Sequence, residues 1–166
     1  HFSDYRSGER TFQLITQVAG RSGRAEEAGK VVLQTYDPEN YILRFAVNYD
    51  YAGFYKHEIA LRQATAFPPF ATIVRVMATG EEEAKVAEVL KAVYSALKEL
   101  YDAQPGKFLF FNKMKAPVKR IQNKFRYQVL MRITDGALLP LIYERSLACR
   151  TRDVLVYVEE NPASLS

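Results

Sequence analysis

The stretch ATIVRVMATGEEEAKVAEVLKAVYSALKELY, residues 71–101, decides the fold class of this 166-residue chain. Residues 71–78 are rich in β-branched side chains, which favour an extended strand. After Gly80 the apolar residues recur with the period of an amphipathic helix. The members of this apolar stripe are Val86, Val89, Leu90, Val93, Leu97, Leu100 and Tyr101. A strand that leads into a long helix predicts a domain in which helices cover a sheet.

The remainder of this half continues the pattern. Residues 107–111 predict a short strand, residues 125–133 a strand with alternating apolar side chains, residues 135–150 a helix and residues 153–159 a last strand. The order is therefore βαββαβ. This order predicts a ferredoxin-like domain, in which two helices cover one face of a four-stranded sheet.

A proline pair separates this domain from the residues before it. In the stretch FPPF, residues 67–70, the first proline restricts Phe67 to extended conformations, and the pair cannot continue a helix. We therefore predict two domains, residues 1–66 and residues 67–166. The pattern in the first domain predicts helices over residues 9–19, from Asp37-Pro38 onward and over residues 51–64, with a strand over residues 29–36.

The stretch QVAGRSGR, residues 17–24, points most directly to function. Guanidinium groups offer a planar set of donors that matches phosphate oxygens. If the segment is helical up to its first glycine, the polar side chains share one face, and the glycines let a ligand approach the backbone closely. A solvated turn after a helix is the alternative. The predicted phosphate contacts are Gln17, Arg21 and Arg24, beside Gly20 and Gly23.

The order Gln-x-x-Gly-Arg-x-Gly-Arg resembles the last conserved motif of superfamily-two helicases. The flanking sequence resembles the primosomal protein N′ (PriA) family of replication-restart helicases, and this resemblance covers nearly the whole chain. The residues that carry it are 4–14 (DYRSGERTFQL), 29–36 (GKVVLQTY), Asp50-Tyr51, Phe54-Tyr55, Glu58, Arg62, 67–70 (FPPF), 116–117 (AP), 125–128 (FRYQ) and 156–162 (VYVEENP).

The resemblance implies an α+β chain, with a partial RecA-like helicase lobe in residues 1–66, mostly helical here, and a DNA-binding domain in residues 67–166. The implied parent protein is an ATP-dependent DNA helicase of replication restart and primosome assembly, of which this chain is a carboxyl-terminal fragment. Arg21 and Arg24 would stabilise charge on the γ-phosphate, and Gln17 would help to orient the nucleotide or the arginines. The cofactors and partners implied for the parent are ATP, magnesium, zinc in a cysteine-rich module, single-strand-binding protein and other primosome proteins.

The sequence contains neither a phosphate-binding loop nor an acidic magnesium motif. The nearest match, Gly23 to Lys30, has five residues between its glycines, and Val31 stands where such a loop needs Ser or Thr. We therefore expect the isolated chain to bind no metal or cofactor and to lack ATPase activity. Cys149 is the only cysteine, which excludes an internal disulfide and a multi-cysteine zinc site. With no membrane-length apolar run and no signal pattern, the expected compartment is the cytoplasm.

Residues 103–134 contain eight Lys and Arg residues and no Asp or Glu. Such a run predicts a polyanion partner, here forked or single-stranded DNA, although a solvated face is the alternative. We expect a loop after the second strand and the helix-free face of the sheet to present these cations. Phe125 and Tyr127 share the phase of Val129, which favours core packing over base stacking. The predicted DNA contacts are Lys113, Lys115, Lys119, Arg120, Lys124 and Arg126.

The alternative function is that of a non-enzymatic RNA- or ribosome-binding module. Such a module would need the basic half of the chain but not the spacing of Gln17, Arg21 and Arg24.

His57 and Glu58 are adjacent on a predicted helix and point in different directions, so we expect surface or connector roles for them instead of acid–base chemistry.

Overall fold

The computed structural model describes residues 5–21 and 30–163, except the side chains of residues 117–120. The chain divides into two compact units, His1–Thr65 and Ala66–Ser166. The first unit contains helices α1 (Ser7–Arg21), α2 (Tyr41–Val47) and α3 (Tyr51–Thr65). The second contains β1 (Thr72–Gly80), α4 (Glu83–Ala103), β2 (Phe108–Ile121), β3 (Lys124–Ile133), α5 (Leu139–Leu147) and β4 (Val154–Glu160). The predicted α+β class is confirmed.

The first unit packs its helices around a small aromatic centre. Phe12 of α1 and Phe54 of α3 stack with ring centroids 4.4 Å apart, and both are buried together with Ala46 of α2. The helices predicted over residues 9–19 and 51–64 are confirmed as α1 and α3. The carboxylate of Asp50 accepts a 2.9 Å hydrogen bond from the amide of Gly53, which satisfies a free donor at the start of α3.

The predicted start of α2 at Asp37-Pro38 is wrong. Helix α2 begins at Tyr41, after Asn40, whose side-chain oxygen accepts a 2.9 Å hydrogen bond from the amide of Ile42. The amide of Asn40 donates to the carbonyl of Asp37 at 3.2 Å, which closes a turn before the helix. The Asn40 amide side chain, and not the Asp37 carboxylate, therefore caps α2.

The strand predicted over residues 29–36 is also wrong for residues 30–36, which form neither helix nor strand. Val32 is 82% exposed and Tyr36 is fully exposed. In the described part of the first unit there is no other strand to accept or donate its backbone hydrogen bonds. A β-favouring sequence without a partner strand cannot satisfy its edges, so it stays irregular.

The second unit has the predicted βαββαβ order. Its four strands form one antiparallel sheet in the order β2-β3-β1-β4, as expected for a ferredoxin-like fold. One face of the sheet packs against α4 and α5. The buried core between them includes Val76, Val129, Met131, Leu97 and Ile142.

The helix-free face of the sheet is not the open surface that we predicted. Residues on this face alternate with those of the helix-covered core, because successive strand residues point to opposite faces. Gln128 lies there next to its register partner Met77, and both side chains are fully buried, as is Ile73. The centre of this face therefore cannot offer cations to phosphates.

The basic segment forms a β-hairpin and not a loop. Strands β2 and β3 pair up to Ile121 and Lys124, and the two-residue turn of Gln122 and Asn123 has positive φ values of 50° and 63°. Positive φ at both turn residues is typical of a type I′ turn, whose twist matches a hairpin. The predicted short strand over residues 107–111 is thus the beginning of a 14-residue strand.

The carboxyl end of β4 is fixed to the start of β1. The side-chain oxygen of Asn161 accepts a 2.9 Å hydrogen bond from the amide of Ile73. The backbone amide of Asn161 donates a 2.7 Å hydrogen bond to the carbonyl of Ile73. Arg75 of β1 also forms an ion pair with Glu159. The ending VEENP therefore closes the sheet at its β1–β4 pair.

We predict that Gly80→Ala destabilises the second unit. A Cβ atom at Gly80 would lie 2.7 Å from the carbonyl oxygen of Asp153 and 3.1 Å from Cγ2 of Val86. Because backbone cannot move aside as a flexible side chain can, we expect the free energy of unfolding to fall by about 1–3 kcal/mol in chemical denaturation. In the control variant Gly106→Ala, the new Cβ meets no described atom within 4 Å. An equal loss in both variants would contradict the steric explanation.

Candidate functional site

Helix α1 presents two of the predicted phosphate contacts on its exposed side. Gln17 and Arg21 are both exposed and lie four residues apart, so their side chains share one face of the helix. Gly20 is exposed as well, and a Cβ there would meet no described atom within 4 Å. Gly23 and Arg24 lie outside the described residues. Nucleotide contact by this set of residues stays a prediction.

The same side of α1 carries two exposed apolar side chains. Leu14 is 61% exposed and Val18 is 51% exposed. Together with Gln17 and Arg21 they follow the three- and four-residue spacing of a continuous helical stripe. The stripe therefore combines an apolar contact surface with the polar groups that we predict to face phosphate.

The inner side of α1 is held by a polar cluster that we call the junction network: Glu9, Tyr41, Glu58 and Arg62. The hydroxyl of Tyr41 donates a 2.9 Å hydrogen bond to Oε2 of Glu58. Nε of Arg62 lies 3.5 Å from Oε1 of Glu58, and Nη2 of Arg62 donates to Oε2 of Glu9 at 3.4 Å. The network thus connects the three helices in the described part of the first unit.

The surface role that we allowed for Glu58 is wrong. Glu58 is only 8% exposed, whereas His57 is exposed and its ring centroid lies 4.3 Å from that of Tyr41. Burial, followed by the hydrogen bond to Glu58 and its charge, raises the pKa of Tyr41 to about 12. The four-residue spacing of Glu58 and Arg62 was the signal in the sequence that could have indicated this pairing.

A groove on the second unit gathers three lysines. We call it the basic groove, and it has a volume of about 290 Å³. Lys91 comes from α4, and Lys113 and Lys115 come from β2. Nζ of Lys113 lies 4.8 Å from the ring centroid of Tyr94, and Nζ of Lys115 lies 6.0 Å from that of Tyr127. The remaining lining residues are Ala87, Leu90 and Met114.

The basic groove lies on the helix-bearing face of the sheet, so our assignment of these lysines to the helix-free face is wrong. Lys113 and Lys115 have the phase of Phe111, whose ring stacks on Tyr94 and Tyr101 with centroids 5.1 Å away in each case. Since Phe111 packs against the core, the lysines that follow it on alternate positions project beside α4.

The aromatic side chains predicted as core residues are confirmed as such. Phe125 and Tyr127 pack against the main hydrophobic cluster. The hydroxyl of Tyr127 donates a hydrogen bond to a carboxylate oxygen of Glu83, at the start of α4. This bond ties β3 to α4, the helix that supplies Lys91.

The other predicted DNA contacts do not join the basic groove. Lys124 and Arg126 have the opposite phase on β3. Lys124 lines a separate cleft beside the acidic residues Glu82 and Asp153. Lys119 and Arg120 belong to β2, but their side chains lie outside the described residues. Lys91 was missed because it lies outside the acid-free run of the sequence.

Within residues 5–21 and 30–163, no three His, Cys, Asp or Glu side chains are grouped closely enough to hold a metal ion. None of the helices in that part of the chain has the length and apolar character that a membrane span requires. Cys149 is partly buried, and its burial raises the pKa of the thiol.

Comparisons with known proteins agree with the resemblance. Residues 63–162 match the family model described as the primosomal protein N C-terminal domain. Over 98% of its length the chain is 34% identical to replication restart protein PriA of Bacillus subtilis, and over 99% it is 30% identical to that of Synechocystis. The chain spans about a fifth of each relative, since 20% of either protein is covered. The chain therefore belongs to the primosomal protein N (PriA) family, and residues 63–162 carry the C-terminal domain of that family.

Proposed function

We propose that this chain is the carboxyl-terminal part of an ATP-dependent DNA helicase that acts in replication restart and primosome assembly. In this proposal the basic groove binds DNA, and the exposed side of α1 offers Gln17 and Arg21 to ATP. The family membership and the relatives' name, replication restart protein PriA, support the process. The basic groove is the observation that carries the DNA-binding part.

The groove chemistry suits a nucleic-acid backbone. Lys91, Lys113 and Lys115 bring three ammonium groups to one surface, with an apolar floor between them. Each phosphate that a lysine neutralises releases a counterion, which favours binding at low salt. Ammonium groups contact phosphates without reading base edges, so we expect little sequence preference. We propose forked or single-stranded DNA as the ligand.

Of the cofactors proposed for the parent protein, ATP suits the described residues better than magnesium or zinc. Exposed Gln17 and Arg21 suit the phosphate oxygens of ATP, because a guanidinium donates to two oxygens at once. Among the described residues, no three acidic side chains are grouped closely enough to hold magnesium, and Cys149 is a single cysteine. In this proposal other parts of the parent therefore hold magnesium and zinc. Single-strand-binding protein, other primosome proteins and a cytoplasmic location belong to the proposal through the resemblance alone.

The first test measures how DNA affinity depends on salt. Three phosphate contacts on a single strand predict a slope of log affinity against log salt of about −2, and loss of two lysines reduces it to about −1. We expect this change for the double variant Lys113→Gln, Lys115→Gln in fluorescence anisotropy with a labelled single strand. The control Lys56→Gln, Lys98→Gln removes the same charge at exposed sites outside the groove.

Two outcomes would contradict this part of the proposal. An equal change in the control variant would indicate a diffuse charge effect in place of a site. Tighter binding of an RNA hairpin than of forked or single-stranded DNA would favour the non-enzymatic RNA- or ribosome-binding module.

The second test concerns ATP hydrolysis. We expect no turnover from the isolated 166-residue chain and DNA-stimulated turnover from the intact protein that carries it. In the intact protein, Arg21→Ala should lower kcat by about 10³-fold, since an arginine that neutralises transition-state charge contributes about that factor. The control Arg44→Ala removes an exposed arginine of α2 and should leave kcat unchanged. Turnover by the isolated chain, or equal effects of the two variants, would contradict the role given to Arg21.

A further inference from the structure

We infer that Arg62 is a positioning residue that sets the orientation of α1, and with it the place of Arg21, by joining Glu9 of α1 to Glu58 of α3. This inference rests on the proposed function, because it assigns Arg21 to a nucleotide phosphate. It adds a residue on another helix that acts only through Arg21.

The geometry of Arg62 is that of a bridge between two helices. Its side chain is 16% exposed, and it contacts a carboxylate on each side, at 3.5 Å from Glu58 and 3.4 Å from Glu9. Glu58 is the more buried partner, with 10% of its side chain exposed. The contact with Glu58 lies within α3 and holds the guanidinium in place, whereas the contact with Glu9, whose side chain is 38% exposed, joins α3 to α1 and resists changes in the angle between the two helices.

The two ends of α1 have different tasks. Glu9 lies in the first turn and Arg21 at the last residue of the helix, which places them about 18 Å apart along its axis. A tilt of about 3° around the Glu9 end therefore displaces Arg21 by about 1 Å. Misplacement of a catalytic group by that distance can reduce a rate about 100-fold. Arg62 contacts α1 in its first turn, so a small change in the angle of the helix at that end displaces Arg21 at the other end by a larger distance.

The packing at the Glu9 end leaves little room for a different angle. A Cβ atom at Gly8 would lie 3.3 Å from the hydroxyl of Tyr41 and 3.5 Å from Oε2 of Glu58. Phe12 stacks on Phe54 one turn further along the helix. Arg21 follows Phe12 by nine residues, about two and a half turns, so the two side chains point to opposite sides of α1. The inner contacts thus determine where the outer side chain lies.

The hydroxyl of Tyr41 provides a pH-dependent measure of the junction network. Glu58 and Arg62 face this hydroxyl, and the His57 ring lies 4.3 Å away between centroids. The pKa of Tyr41 is raised from 10.0 to about 12, mainly by burial and then by Glu58. Its stabilising contribution is therefore complete below the unfolded value and is lost as pH rises towards the folded one.

We accordingly predict that the stability difference between the wild type and Tyr41→Phe shrinks as the pH rises from about 10 to about 12. Urea unfolding at a series of pH values measures this difference directly. Because both proteins share the remaining tyrosines and lysines, the subtraction isolates Tyr41. A difference that stays constant across this pH window would show that folding does not raise the pKa of Tyr41, which would contradict the burial of the phenol and its bond to Glu58.

The orientation of α1 can be measured without nucleotide. In the 166-residue chain, spin labels at Val18→Cys and Lys56→Cys, in a Cys149→Ala background, report the distance between α1 and α3 by double electron–electron resonance. Both positions are exposed, so the labels need not disturb the core. We expect Arg62→Met to broaden the distance distribution, and Arg44→Met to leave it narrow. An unchanged distribution in Arg62→Met overturns the inference.

A kinetic double-mutant cycle in the intact protein completes the test. Arg62→Met should lower kcat by about 10- to 100-fold and change KM for ATP less. The same substitution should have no further effect in an Arg21→Ala background, measured in single turnovers. If Arg62→Met folds poorly, the test uses Glu9→Gln, which keeps the shape of the side chain. We expect the same loss of kcat from Glu9→Gln.

The outcomes separate this inference from the function on which it rests. If Arg21→Ala leaves kcat unchanged, the proposed role of Arg21 fails, and the positioning role fails with it. If Arg21→Ala impairs turnover while Arg62→Met has no effect, or has the same effect in both backgrounds, only the positioning role is overturned.

Discussion

The register of β3 is the constraint on which the second unit depends. This strand pairs with β1 on one side and with β2 on the other, so its alternation decides the direction of side chains on three strands. Val129, Met131 and Ile133 face α4 and α5 and fix that phase through burial. Lys113 and Lys115 consequently lie on the helix-bearing side, and Lys124 and Arg126 on the other. A shift of one residue would exchange the two sets and bury charge, which makes the basic groove a direct consequence of core packing.

The first unit relies on a different balance. Its buried apolar cluster consists of Phe12, Ala46 and Phe54 with a few partly buried neighbours, and a cluster of that size specifies helix orientation weakly. The junction network adds directional contacts between α1, α2 and α3. Buried ion pairs contribute little net stability, because desolvation offsets most of their attraction. Their geometric requirement distinguishes one helix arrangement from another, and under the proposed function α1 needs that distinction because its outer side bears Arg21.

The sequence predicted elements well where periodicity and burial agree. The stripe from Val86 to Leu100 gave α4, and the alternation after Phe125 gave β3. The long hairpin was missed because its turn, Gln122-Asn123, lacks the glycine that usually marks positive φ. The strand expected over residues 29–36 failed for the opposite reason, since its local β preference finds no partner strand in the described part of the first unit. Glu58 was misjudged because one of its partners, Tyr41 of α2, is 17 residues away in the sequence, where no local pattern indicates the contact. Local patterns therefore predicted most helices and strands. They did not predict the β2–β3 pairing that places Lys113 and Lys115 on the helix-bearing face of the sheet.

The two cation types of the chain suit the two kinds of phosphate contact that the proposed function assigns to them. A lysine ammonium is a compact, strongly hydrated charge on a flexible stem, so it can follow a backbone whose phosphates vary in position. The basic groove uses lysines only, over tyrosine rings that hold their stems without fixing an angle. A guanidinium is planar and binds a phosphate best from one direction, so the strength of its contact depends on the orientation of the helix that carries it. Under the proposed function, that difference explains why the junction network would position α1 for Arg21, whereas the lysines of the basic groove would need no such network.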